Sequence, residues 1–297
     1  MTQQAITPDM QIESPPRVNE TKRFLRIFLG RGVVVFGIVI VLLFIIIAVF
    51  GPWIAPYPPN DITRDRLQNP SWSHWLGTDE FGRDSLSRLI IGSRNSLMVG
   101  VVAVGIAAGV GIIIGMLAGY YGGLINAVIM RIVDALMSFP MILLALLIAG
   151  LLGSGLSNVM IALGVAMIPV YARLMCGQVL AIRENDYVLA ARSMGSNNWR
   201  LMLRHVMPNS FPPLIVLVTM QIATAVLAEA GLSYLGIGIT PPDPSWGAMV
   251  YNGFKYLLTN PLLSFIPGVA IMLVVFAFNM VGDGLRDALD PRLRGSI

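Results

Sequence analysis

The chain has 297 residues, of which 56% are hydrophobic and only 12% charged, with a mean hydropathy of +0.74 and a formal net charge of +4. A soluble domain is about 45–50% apolar and about 25% charged, so this composition excludes a soluble globular protein and makes a lipid bilayer the solvent for most of the chain. A single cysteine, Cys176, excludes a disulfide framework, and with only His74 and His205 beside it there is no basis for a Cys/His metal cluster.

Residues 1–32 read as a cytosolic tail, whose first 20 residues carry too little apolar content to fold. Apolar runs long enough to cross about 30 Å of hydrocarbon follow, and they predict an all-α integral membrane protein with six spans near 33–51, 96–119, 130–151, 157–176, 212–233 and 262–281. The first run is longer than a signal-peptide core, and "GPWIAPYPP" after it offers no small-x-small cleavage site, so it is expected to stay as an anchor.

The next segment, 52–95, holds five arginines matched by Asp61, Asp65, Asp79, Glu80 and Asp84, the signature of a folded external loop. In the second span Gly111, Gly115 and Gly119 make two overlapping G-x-x-x-G units, with Gly105 and Gly109 a turn earlier, and predict a flat stripe for close helix packing. Asp134, opening the third span, pairs by spacing with Arg131. "GSGLSN" then makes a tight hairpin into the fourth span. Pro140, Pro169 and Pro267 lie within or at the ends of spans, where each removes a backbone donor, either to adapt helix shape or to line a pathway.

The longest polar gap of the second half, 177–211, opens differently. In "DYVLAARSMG" Asp186 is placed to cap a short helix, Tyr187, Ala190, Ala191 and Met194 share one face, and Gly195 is placed to stop the helix in a left-handed conformation. Ser196 or Asn197 caps a second helix, in which Trp199, Met202, Leu203 and Val206 repeat the spacing until Pro208 ends it. Arg183, Arg192, Arg200 and Arg204 surround this pair. Spacing alone leaves two readings open, docking to a protein partner or lying on the membrane surface.

Glu229 is the one acid well inside an apolar run, and it serves either the translocation path or a structural hydrogen bond to a neighbouring helix or subunit. In the external loop 234–261, "PPDPSW" is stiff and carries an aromatic, and it is either a short re-entrant or capping element or a turn-rich connector. Basic residues settle the expected orientation. Five in residues 1–32, Arg131, five from Arg173 to Arg204 and three in the carboxyl-terminal tail fall on one side, against five between Arg64 and Arg94 plus Lys255 on the other. The positive-inside rule then puts both termini in the cytosol.

Catalytic motifs are missing. The chain has no G-x-x-x-x-G-K followed by Ser or Thr, no G-x-S-x-G elbow, and histidines on opposite sides of the predicted membrane, so no catalytic residue and no cofactor of its own is expected. An ion-coupled secondary transporter would need intramembrane acids near the midplane, and a scaffold would not need paired loop helices.

"LAARSMGSNNWRLMLRHVMP" resembles the loop signature of permease subunits of binding-protein-dependent ABC importers: E-A-A, three residues, Gly, nine residues, I-x-L-P. Ala190, Ala191, Gly195 and Pro208 match at the right spacing, while Leu189, His205 and Met207 depart as in the dipeptide/oligopeptide/nickel permease family. "HWLGTDEFGRDSLSRLIIGSRNSL", "GLSYLGIGITPPDPSWGAMV" and "AFNMVGDGLRDALDPRLRG" resemble the same family. The resemblance implies a type I ABC importer permease over 33–297 in the bacterial inner membrane, with 177–211 as the coupling loop. It also implies a second homologous permease, two ATPase subunits that bind ATP and Mg²⁺, and an extracytoplasmic binding protein facing the external loops. Asp186, Tyr187, Ala190, Ala191, Arg192, Met194, Gly195, Trp199, His205 and Pro208 would then serve ATPase coupling, and Glu184 or Arg192 would replace the charge absent at Leu189. Members of the family carry dipeptides, longer peptides, glutathione, nickel chelates or oligosaccharides, with peptide the first expectation.

Overall fold

The computed structural model describes residues 20–289, so the reading of the first 19 residues and the basic residues Arg17, Arg292 and Arg294 lie outside it. Among the described residues there are eleven α-helices and no β-strand: α1 (Glu20–Leu29), α2 (Gly32–Ile54), α3 (Ser85–Tyr121), α4 (Gly123–Met137), α5 (Met141–Leu152), α6 (Leu156–Arg183), α7 (Asp186–Ser193), α8 (Asn198–Leu201), α9 (Met207–Tyr234), α10 (Trp246–Phe254) and α11 (Leu262–Leu289). A π turn, Met202–Val206, joins α8 to α9. In hydrocarbon every backbone polar group must be satisfied within the segment, and helices do this.

Five helical stretches are long and apolar enough to cross a bilayer, and the pair α4 and α5 makes a sixth if counted as one broken span. The predicted continuous span 130–151 is therefore corrected. The chain bends by 89° between α4 and α5 because Pro140 disfavours a helical conformation at Phe139 and has no N–H to continue the ladder. At 12 residues and about 18 Å, α5 is too short to cross alone. The hairpin into α6 forms as expected, with Gly153 and Gly155 at positive φ and Asn158 Nδ2 donating to the Leu152 carbonyl at 2.9 Å.

The core lies between α3, α6 and α9. A side chain on Gly111 would put its Cβ 2.6 Å from Tyr171 Cβ, and one on Gly119 would meet Val179 Cβ at 2.7 Å. Gly115 sits between them against the Ala172 carbonyl and Met175. These three glycines let α3 and α6 run parallel at close range, as their spacing predicted. Gly105 and Gly109 do not join the stripe; both are exposed with open space around them. Two residues from Gly109 to Gly111 rotate a helix by about 200°, so the two sets face opposite sides.

α2 packs on α11 and α3. Its inner edge is Val34, Gly37, Ile40, Ala48 and Gly51, with Val41 and Phe44 partly buried beside it, and most of the remaining surface is exposed and apolar, as a lipid-facing helix requires. Within the expected tail 1–32, α1 follows the first 19 residues as a helix seated on α11, with Phe24 and Phe28 stacked at 5.6 Å. Arg31, at the α1–α2 corner, forms an ion pair with Asp287 of α11.

The loop 55–84 is folded, at the end of the bundle opposite α7. Asp84 caps α3, accepting from Ser87 N at 2.8 Å and Ser87 Oγ at 2.7 Å, while its other oxygen meets His74 Nδ1 at 2.9 Å. Asp79 binds Arg83 Nε at 2.7 Å, and the buried Arg88 donates to the Pro59 carbonyl at 2.9 Å. Glu80 accepts instead from the Tyr256 hydroxyl, so the expected matching of acids to arginines holds only in part. Farther on, "PPDPSW" leads into α10, a short helix packed against α9 and α11. Trp246 is fully buried there, edge-on to Phe44 at 5.3 Å, with its indole N–H on the Leu89 carbonyl at 3.1 Å.

Candidate coupling surface

The loop between α6 and α9 is built from capping chemistry. α7 ends in a Schellman motif: Gly195 has φ +85°, its N–H donates to the Arg192 carbonyl at 3.0 Å, and the Ser196 N–H reaches back to the Ala191 carbonyl at 3.2 Å. Asn197 caps α8, its Oδ1 accepting from Arg200 N at 2.8 Å. At the start of α7 the cap is Asn185, without a side-chain bond, and Asp186 is the first helical residue, one position later than its sequence role. There its carboxylate still favours the positive end of the helix.

Pro208 does not end the second helix. The π turn widens the ladder, Met207 N–H donates to the Met202 carbonyl, and the chain runs from Asn198 to Tyr234 as one long apolar stretch through Pro208, Pro212 and Pro213. Proline cannot donate, and two side chains supply donors to nearby carbonyls: Asn209 Nδ2 to His205 O at 2.6 Å and Ser210 Oγ to Val206 O at 2.9 Å. His205 thus sits in a helical junction rather than beside a helix end.

The four residues expected to share a docking face separate. Tyr187, Ala190 and Met194 are exposed, Met194 at 81%, whereas Ala191 is buried against the chain's own core at 4%. Val188, which spacing did not single out, is buried at 0% beside it. The helix is rolled so that its 188/191 edge faces inward and its 187/190/194 edge faces out. Arg192 and Trp199 are exposed as well.

Val188 and Ala191 belong to one continuous apolar cluster with Leu201, Met202 and Val206 of the loop, Met175 and Val179 of α6, and Leu214 of α9. Polar ties reinforce it. Tyr120, at the end of α3, donates through its hydroxyl to Asn198 Oδ1 at 2.9 Å, and Arg192 lies over its ring at 5.9 Å. Arg183 Nη1 donates to the Gly119 carbonyl at 2.9 Å, and its Nε holds Glu184 at 2.9 Å. Both groups proposed to replace the absent charge at Leu189 are therefore engaged within the chain. Tyr120 and Asn198 were missed by sequence reasoning because their partners lie on distant elements, and Arg183 entered it only as one of the arginines around the loop.

Glu229 is fully buried. Its Oε1 accepts from Ser233 Oγ at 2.7 Å and its Oε2 from Ser96 Oγ at 3.2 Å, and Ser96 Oγ in turn accepts from Trp246 N at 3.3 Å. The carboxylate joins α9, α3 and α10 and is enclosed between them. Asp134 pairs with Arg173 of α6 rather than with Arg131, tying α4 to α6. Among the described residues no three His, Cys, Asp or Glu side chains come together to hold a metal.

The apolar cluster thus packs α7 against α6 and α9 as one body. Residues 111–295 match the family "Binding-protein-dependent transport system inner membrane component", and residues 20–70 match "N-terminal TM domain of oligopeptide transport permease C". The chain is 41% identical over 295 residues to the glutathione transport system permease protein GsiD of Escherichia coli O1:K1, covering 98% of this chain and 97% of that one. It is 42% identical, over the same shares, to the GsiD protein of Shigella sonnei. In structure it is similar to the MetNI methionine ABC transporter in inward-facing conformations, with a TM-score of 0.58 and 21% identity over 68% of this chain and 96% of that one. The fold is that of a type I ABC importer permease, and the chain belongs to the family of binding-protein-dependent transport system inner membrane components.

Proposed function

We propose that this chain is the transmembrane subunit of an ATP-driven importer of small peptides, and that α7 docks on a cytosolic ATPase. The observation that carries the coupling half is the continuity of Val188 and Ala191 with Leu201, Met202 and Val206 behind an exposed Tyr187, Ala190 and Met194. An ATPase that moves against the outer edge of α7 displaces a packed core, and close-packed cores shift as units. The working assembly comprises a second homologous permease, two P-loop ATPases that bind ATP and Mg²⁺, and an extracytoplasmic binding protein over 55–84 and α10. Both termini face the cytosol, because basic residues concentrate at the α7 end.

Peptide cargo rests on relatives named for glutathione, itself a tripeptide, and on the match to an oligopeptide permease segment. The test is the subunit composition of the complex after gentle detergent extraction, from the native chain and from Gly195→Pro, which cannot adopt φ +85°. The native preparation should bring down two ATPases and a second permease, and the variant should lose the ATPases. A chain that emerges alone from both preparations contradicts the assembly. Mass spectrometry of the ligand released from the captured binding protein tests the cargo; a nickel chelate or an oligosaccharide in place of a peptide would overturn that half alone.

A further inference from the structure

The helix α1 is too short to cross a bilayer: ten residues reach about 15 Å. It is amphipathic in a particular way. Phe24, Ile27 and Phe28 are half-buried toward α11, and a Cβ on Gly284 of that helix would come within 3.3 Å of Phe28. Leu25 and Leu29, one turn apart, are 47% and 49% exposed. Lys22, Arg23 and Arg26 lie on the remaining arc, and Glu20 at the first position is the one acid of the helix.

Position decides what this pattern faces. Gly30 and Arg31 join α1 directly to α2, whose exposed surface is a continuous run of Val, Leu, Ile and Phe. Arg31 is held by Asp287 near the end of α11, where Arg286 and Leu289 line a cavity with Pro208, so the corner sits at the α7 end of the bundle. Leu25 and Leu29 thus continue the lipid-facing surface of α2 at its margin, and a basic arc at that margin meets headgroups.

We propose that α1 is an anionic-lipid binding element: it lies in the headgroup layer with Leu25 and Leu29 in the acyl region and Lys22, Arg23 and Arg26 on phospholipid phosphates of net negative charge. Juxtamembrane basic residues gain about five-fold in binding each from such a surface, a gain that falls as salt screens it. The arrangement clamps the start of α2, and through Asp287 the end of α11, to the charge of one leaflet.

The test uses the full-length chain in nanodiscs of phosphatidylcholine alone and of phosphatidylcholine with an equal part of phosphatidylglycerol, reading hydrogen exchange at Phe24–Leu29. Protection should rise at least ten-fold with phosphatidylglycerol and fall back in high salt. The combined Lys22→Gln, Arg23→Gln, Arg26→Gln variant should lose that rise while α2 and α11 keep their protection, and Lys22→Arg, Arg23→Lys, Arg26→Lys should retain it. Equal protection of the native chain in both lipids would overturn the proposal, leaving α11 as the sole anchor of α1. So would a rise that survives removal of the three charges.

Discussion

The Tyr120 hydroxyl donates to Asn198 Oδ1 at 2.9 Å, so the last turn of α3 is bonded to the first residue of α8 across 78 positions of sequence. This bond fixes the second loop helix to a membrane helix through a ring that itself packs in the apolar cluster beneath α7. Tyr120→Phe keeps the ring and the Arg192 contact while removing the donor, at a cost of about 1 kcal/mol. The expected outcome is a complex of normal composition whose ATP hydrolysis responds more weakly to loaded binding protein. Unchanged stimulation would mean that the bond plays no part in coupling.

The α3–α6 contact gives a sharper stability prediction. Gly115→Val drives two methyls into the Ala172 carbonyl and Met175, and overpacking of this kind costs about 1–3 kcal/mol or more. Gly109→Val faces open space and should leave the melting temperature of the detergent-solubilised protein unchanged. Equal melting of the two variants would contradict the parallel packing.

For Glu229, substitution separates tie from pathway. Glu229→Gln keeps an acceptor for Ser233 or Ser96 and should be mild, whereas Glu229→Ala strands both hydroxyls at about 1–3 kcal/mol. Because the carboxylate is sealed, any loss of uptake should be equal for peptides with free and blocked amino termini. A selective loss for free amines would restore Glu229 to the cargo path.

Trp246 anchors α10. Trp246→Ala empties a fully buried site against Phe44 and should cost about 3–5 kcal/mol in thermal or denaturant unfolding. Trp246→Phe, which keeps a ring but not the N–H bonded to Leu89, should cost markedly less. Comparable losses would place the stabilisation in the hydrogen bond instead.

Features with a local cause were legible in the sequence. Gly195 needs a left-handed backbone, Asn197 caps the helix it precedes, and the Gly111, Gly115 and Gly119 stripe is a spacing. Features set by direction or by a distant partner were not. Hydropathy counts apolar residues without registering a bend, so the break at Pro140 passed as one span. A four-residue apolar face on α7 has two edges, and only the neighbours Leu201 and Met202 decide that Ala191 turns inward while Ala190 turns out. Pro208 reads as a stop because the π turn that accommodates it has no sequence signature of its own.

The most direct measurement of the central claim is cross-linking from the outer edge of α7 in the assembled complex. A thiol introduced by Ala190→Cys or Met194→Cys should cross-link to an ATPase subunit, with a yield that changes when ATP is added, while Gly105→Cys on the lipid-facing side of α3 should not. Cross-linking from neither α7 position, in a complex that retains its ATPases, would contradict docking at this surface.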